Sequence, residues 1–321
     1  MGTVERGLLD LLIARIPGIG SGGRVYLCEK FERESDLTAL TPAEVKRICA
    51  AGRALRTGRG EAVNGRIFDD KAKSWSMDDI ASRAREDAVF MERRGIRWVS
   101  IAEDAYPPLL REIYDPPAVL FYRGVLPQSG KPALAMVGTR KPGAASLRWA
   151  YEAARDLSLA GVLVVSGLAT GIDAMAHRGA LDAAAGSAGA GGTAAPTVSV
   201  FGSSVDYVYP ASNRSLARRI VASGGLLLSE YPPGTRPAKW TFPARNRIIS
   251  GLCRCTVIVE AGEKSGALIT ADFALEQNRS LCLAGDPVDG AFGAGCRKLA
   301  EDGAKVVHKP VDILTELGLE I

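Results

Sequence analysis

Four short stretches carry residues suited to holding phosphate. FPARNRIISG (242–251) sets Arg245, Asn246 and Arg247 between a proline and an apolar run. MVGTR (136–140) ends an apolar run in Gly138, Thr139 and Arg140. VVSGLATGID (164–173) turns around Gly167, Thr170 and Gly171, and EKSGALIT (263–270) presents Lys264, Ser265 and Gly266 at a helix entrance. Glycine permits close backbone approach, a helix N-terminus offers free N–H groups, and an arginine or lysine meets the charge. Each stretch also has a plainer reading. The glycines serve tight strand-to-helix turns, and the lysine lies in an exposed loop. Neither glycine turn is a GxGxxG fingerprint, and KSG lacks the upstream glycine of the GxxxxGK[ST] loop.

A second chemistry adjoins the first. Lys239-Trp240-Thr241-Phe242 puts a cation next to two large aromatics. Single-stranded nucleic acid needs this combination, because its phosphates meet cations and its unpaired bases stack on rings. Core packing is the other use of those rings. Asp173 reads as a helix cap or a polar partner inside its turn, and His177 as structural. Asn246 either caps a helix or touches a ligand. We find no framed pair of carboxylates, no Ser/His/Asp arrangement and no metal-ligand cluster. The six cysteines are scattered without a CxxC pair and the chain has only two histidines. Neither a zinc site nor a disulfide framework is expected. A phosphate-holding rim without a catalytic constellation points to binding rather than catalysis, with no cofactor.

The elements that must position these residues are legible in the hydrophobic pattern. Residues 1–92 predict a small helical domain, with Thr41 and Glu44 as a capping box and Ser76 as the cap of a longer helix. From IRWVSI onward the chain alternates short β-branched runs with helical stretches: AVLFY, ALAMVG, VLVVSG, TVSVFG, LLLSE, TVIVEA, LCLAG and KVVH. Buried parallel strands read this way, so residues 93–321 predict an α/β domain with a doubly wound, mostly parallel sheet. Ligands of such sheets bind beyond the carboxyl ends of the strands, where the four stretches fall. The low-complexity segment 182–197 reads as a flexible linker or loop insertion, and 56–75 as loop.

Bulk properties agree with a soluble binding protein. The chain has 321 residues, 47% hydrophobic and 24% charged, with a formal net charge of +4. Such a weak excess permits an anionic partner only if positive charge is focused locally. No signal-peptide pattern and no run of transmembrane length is visible, so a cytoplasmic location is expected.

The motifs together carry a resemblance. MVGTR, VVSGLATGIDAMAHRGAL, FPARNRIISGL, KSGALITADFALEQ, YPPLLREIYDPPAVLFYRG and GCRKLAEDGAKVV occur in the order seen in the DNA-processing protein A (Smf) family of bacterial recombination mediators. The chain resembles that family well over about residues 95–321 and loosely before them. The resemblance implies an extended Rossmann-like domain behind a module similar to SAM or helix-hairpin-helix domains, PGIG (17–20) suiting the latter. It implies binding of single-stranded DNA, loading of the recombinase RecA onto incoming DNA in natural transformation, and homodimerisation. The DNA pocket so implied holds Gly138, Thr139, Arg140, Gly167, Thr170, Gly171, Lys239, Phe242, Arg245, Asn246, Arg247, Lys264, Ser265 and Gly266, with Phe242 stacking a base and Arg245 and Arg247 as clamps. Thr170 stands where the family usually has arginine, Ser204 where it has glycine, and Arg297 where it has asparagine. No C-terminal winged-helix module is expected. The weighed alternative is a nucleotide phosphoribohydrolase of the lysine-decarboxylase-like family, whose PGGxGTxxE loop AGEKSGALIT matches poorly.

Overall fold

The computed structural model describes residues 2–57, 75–187, 196–285 and 293–319. Most of the polar stretch 56–75, and the middle of the low-complexity segment, lie outside them. Residues 182–187 of that segment are helical, so the preceding helix runs further than a linker starting at 182 implies.

The chain divides into two compact units. The first comprises residues 1–106, 114–121 and 230–235, the second 107–113, 122–229 and 236–321. In the first, α1 (Gly2–Arg15), α2 (Ser21–Lys30), α3 (Glu34–Thr38), α4 (Pro42–Thr57) and α5 (Met77–Arg94) precede the strand β1 (Arg97–Ser100). Helix α5 begins where the Ser76 side chain accepts the Asp79 N–H, and it stops at Gly95, held at φ 60. Asp78 and Asp79 lie in its first turn and Arg93 and Arg94 in its last, each sign opposing the helix dipole. The capping box at α4 forms, the Thr41 N–H donating to Glu44 Oε2 at 2.8 Å and the Glu44 N–H to Thr41 Oγ1 at 3.3 Å. Arg15 ties α1 to α5 by a two-pronged pair with Asp87, at 2.6 and 2.7 Å.

The sheet has nine strands in the order β1-β2-β6-β5-β4-β3-β7-β8-β9, where β2 is Val119–Gly124. Its second-unit strands are β3 (Ala133–Val137), β4 (Leu163–Ser166), β5 (Val198–Val200), β6 (Leu226–Ser229), β7 (Cys255–Ile258), β8 (Ser280–Ala284) and β9 (Lys305–Val307). Each pairs in parallel with its neighbour from β6 through to β9. The apolar runs are what parallel strands covered on both faces require, and β3, β4 and β7 are buried throughout. One covering layer is α7 (Ala144–Leu159) and α8 (Ile172–Ser187), whose Trp149, Ala153, Leu157, Ile172 and Ala176 join Met136, Val164 and Val257 in a core.

The chain winds outward from β3 to β6 and then returns to place β7 on the other side of β3. The order therefore reverses between β3 and β7, and loops leaving the carboxyl ends of these strands diverge around a crevice. All six cysteines are buried, and none is in a disulfide.

Candidate nucleic-acid interface

Three strand-end loops are bound together at the reversal point. The Thr139 N–H, just after β3, donates to the carbonyl of Glu260 beyond β7 at 2.9 Å, and the Thr139 carbonyl accepts the Ile172 N–H at 3.3 Å. Glu260 Oε2 accepts the N–H of Gly143, the cap residue of α7, at 3.0 Å. The loop Thr139–Gly143 is thus pinned at both ends to Glu260, just beyond β7. Glu260 is buried and holds a left-handed φ of 73. Gly171 has φ 82, and a Cβ there would stand 2.4 Å from the Thr139 carbonyl oxygen. Only glycine allows the second turn to come this close to the first. Gly138 is similarly tight, since a Cβ would sit 2.7 Å from the Ile172 side chain.

The turn after β4 is held from within. Asp173 Oδ2 accepts the N–H groups of Gly167 and Ala169 at 3.1 and 3.3 Å, and the Asn213 amide donates to the Leu168 carbonyl at 2.9 Å. Asp173 is the partner inside its turn, so the Gly167 N–H is directed at this carboxylate. Burial pushes the Asp173 carboxyl up from its ordinary range, against the pull of nearby Arg245 and the two N–H groups. His177, one turn along α8, contacts the Thr197 hydroxyl at 2.8 Å, and burial holds its pKa down at about 3.

Helix α10 (Thr241–Gly251) carries the RNR string in its first two turns. Arg245 is buried and its Nη1 donates to the carbonyl of Gly167 at 2.9 Å and to that of Val200. Arg247 is buried too, donating to the Ala244 carbonyl at 2.8 Å. Asn246 lies inside the helix rather than at its cap. Its Oδ1 accepts from Arg245 Nε at 3.2 Å and its amide donates to the Gly266 carbonyl at 3.2 Å. Spacing hints at the inward turn of Arg245. Thr241, Arg245, Ile248 and Ile249 follow the helical repeat of one buried stripe, and all four are buried.

The exposed cations lie around this frame. Arg140, Lys141, Lys239 and Lys264 are exposed, as is Thr170. The Arg140 guanidinium lies over the half-buried Phe242 ring, 5.7 Å from its centre. Ser265 caps α11 (Gly266–Glu276) by accepting the Ala267 N–H. The structure thus brings Thr139, Arg140, Gly171 and Phe242 together, joins Gly167 to Arg245, and joins Asn246 to Gly266. Lys239 and Lys264 reach the group through their chain neighbours Phe242 and Gly266. Sequence spacing does not reveal Glu260 as the residue pinning the loop, nor Tyr209 as a ring beside Phe242, although Tyr209 lies only five residues beyond Ser204, where the chain departs from the family pattern. Among the described residues, no helix is long and apolar enough to cross a membrane, and no group of His, Cys, Asp and Glu is suited to a metal ion.

This geometry has close relatives. The chain is 42% identical over 231 residues to Protein Smf of Synechocystis, covering 71% of this chain and 55% of that protein. It thus spans about half the length of that relative. It is 39% identical over 259 residues to the DNA processing protein DprA of Streptococcus pneumoniae, covering 75% of this chain and 86% of the relative. The solved structure of the Streptococcus pneumoniae protein is similar over 99% of this chain and 96% of that one, with a TM-score of 0.68 and 29% identity. A structure of DNA processing protein A from Helicobacter pylori, solved to describe its single-stranded DNA binding mode, is similar over 69% of this chain and 95% of that chain, with a TM-score of 0.58 and 27% identity. The family model of DNA recombination-mediator protein A matches residues 97–318, which contain every strand-end loop described above. The chain belongs to the DNA recombination-mediator protein A family.

Proposed function

We propose that this chain binds single-stranded DNA across the strand-end rim and acts as a recombination mediator. The observation that carries the reading is the cation on a ring at the reversal point, Arg140 over Phe242, with further exposed cations on the neighbouring loops. Phosphates meet Arg140, Lys239 and Lys264, with Thr139, Thr170, Ser265 and the Gly266 backbone beside them. Gly138, Gly167 and Gly171 allow the loops to close up. Arg245 and Arg247 hold the wall from inside, and Asn246 ties it to α11. Phosphate contacts of this kind read no base edge, and they weaken with salt. The family also supports RecA as the recombinase loaded, a homodimer as the acting form and the cytoplasm as its place. Nucleotide hydrolysis at the loop after β7 is the less favoured alternative, because the family match covers that loop.

The test compares single- and double-stranded oligonucleotides in a salt titration, repeated with RecA present. Preference for the single strand, and a salt slope that falls by about 0.7 for each phosphate contact removed in Arg140→Ala or Lys264→Ala, are expected. Wild-type affinity and slope in both variants would remove the assignment.

A further inference from the structure

We infer that Tyr209 is a base-stacking platform of this rim, carrying an unpaired nucleobase on its outer face. The inference rests on the single-strand reading above and adds a contact to it. Phe242 is the ring that the sequence singles out, but its surroundings are crowded. Arg140 covers it at 5.7 Å, a Cβ on Gly202 would stand 3.0 Å from its Cδ1, and the ring of Tyr209 lies 5.4 Å away, tilted by 46°. A tilt of this size leaves no parallel slot between the two rings for a base. Tyr209, by contrast, is 47% exposed.

The three groups form a continuous series from cation to half-buried ring to open ring. In this series Phe242 acts as the support, while Arg140 and Tyr209 are its solvent-facing ends. A nucleotide with its phosphate at Arg140 and its base against Tyr209 uses both ends at once. The pairing of cations with an open aromatic face is the usual means of holding a single strand without reading its sequence. A base in a duplex has both faces covered by its neighbours, so this contact also favours unpaired strands.

The experiment uses the full chain with an oligothymidylate and with an abasic oligonucleotide of the same length. Tyr209→Leu keeps apolar bulk beside Phe242 and removes the aromatic face, and Tyr209→Phe keeps the face. We expect Tyr209→Leu to bind the oligothymidylate about tenfold more weakly, with an unchanged salt slope because no charge is lost. Tyr209→Phe should bind as the wild type does. On the abasic strand, which has all the phosphates and none of the bases, Tyr209→Leu should match the wild type. An equal loss on both strands would make Tyr209 only a prop for Phe242 and overturn the inference. Unchanged binding of the oligothymidylate by Tyr209→Leu would overturn it as well. A wild type that binds neither strand would instead refute the single-strand reading itself, and this contact with it.

Discussion

Replacing Arg245 by methionine separates two roles that an arginine can play at a DNA-binding rim. In the structure its guanidinium is buried, donates to the Gly167 and Val200 carbonyls, and lies near the carboxylate of Asp173. Hydrogen bonds from a charged donor are worth about 1.5–3 kcal/mol each, and carbonyls left unpaired add to the loss. Methionine fills much of the volume and spares the cost of burying a charge, which offsets part of this. We expect Arg245→Met to destabilise the second unit by about 3 kcal/mol, from the lost charge-assisted bonds to the two carbonyls and to Asn246, less that offset. A unit of this size then melts roughly 6–12 °C lower. The companion is Arg140→Ala, at an exposed position. It should melt as the wild type does, yet lose about 0.7 from the salt slope of oligonucleotide binding. Differential scanning fluorimetry and a fluorescence-anisotropy salt titration on both variants make the comparison. If Arg245→Met keeps the wild-type melting temperature and loses salt slope as Arg140→Ala does, the guanidinium faces phosphate and the inward role is refuted.

Three further outcomes are expected. His177 titrates at about 3 when folded against 6.5 in ordinary surroundings, so the unfolded chain takes up its proton first. Its contribution is intact above the ordinary value and is lost as pH falls, by about 2 kcal/mol near pH 5. Urea melts across that range should show a flatter profile for His177→Gln, and identical profiles would remove His177 as the cause. Gly171→Ala forces a side chain into a φ of 82 and against the Thr139 carbonyl. It should destabilise by more than about 1 kcal/mol and weaken single-strand binding by displacing Arg140, and a variant unchanged in both would contradict the close approach of the loops. Ser76→Ala removes the cap that accepts the Asp79 N–H and should cost about 1 kcal/mol in chemical melts with DNA binding untouched.

The strands were legible for a physical reason. A parallel strand covered on both faces has to be a short apolar run, and each of the nine runs noted in the sequence contains a strand. The caps at Thr41 and Ser76 were equally plain, because they depend on residues three apart. Short α3 and the brief helix Pro108–Arg111 leave no periodic signature and were not foreseen. The rim was legible as a set of loops but not in its directions. Whether an arginine turns inward depends on which helix face meets the sheet, and for Arg245 the nearest carbonyls, Gly167 and Val200, come from distant parts of the chain. The ring of Tyr209 meets Phe242 across 33 positions, beyond the reach of any local pattern.

The double attachment of the loop Thr139–Gly143 to Glu260 decides who adjusts when a strand binds. A loop pinned at its first N–H and at its last has little left to order, so the conformational penalty falls on the nucleic acid. A strand already stacked upon itself must give up that stacking to follow a stiff mould, whereas a limp one need not. Discrimination among single strands on this rim would then follow their own persistence, with thymidine tracts accepted ahead of adenine tracts of equal length and charge.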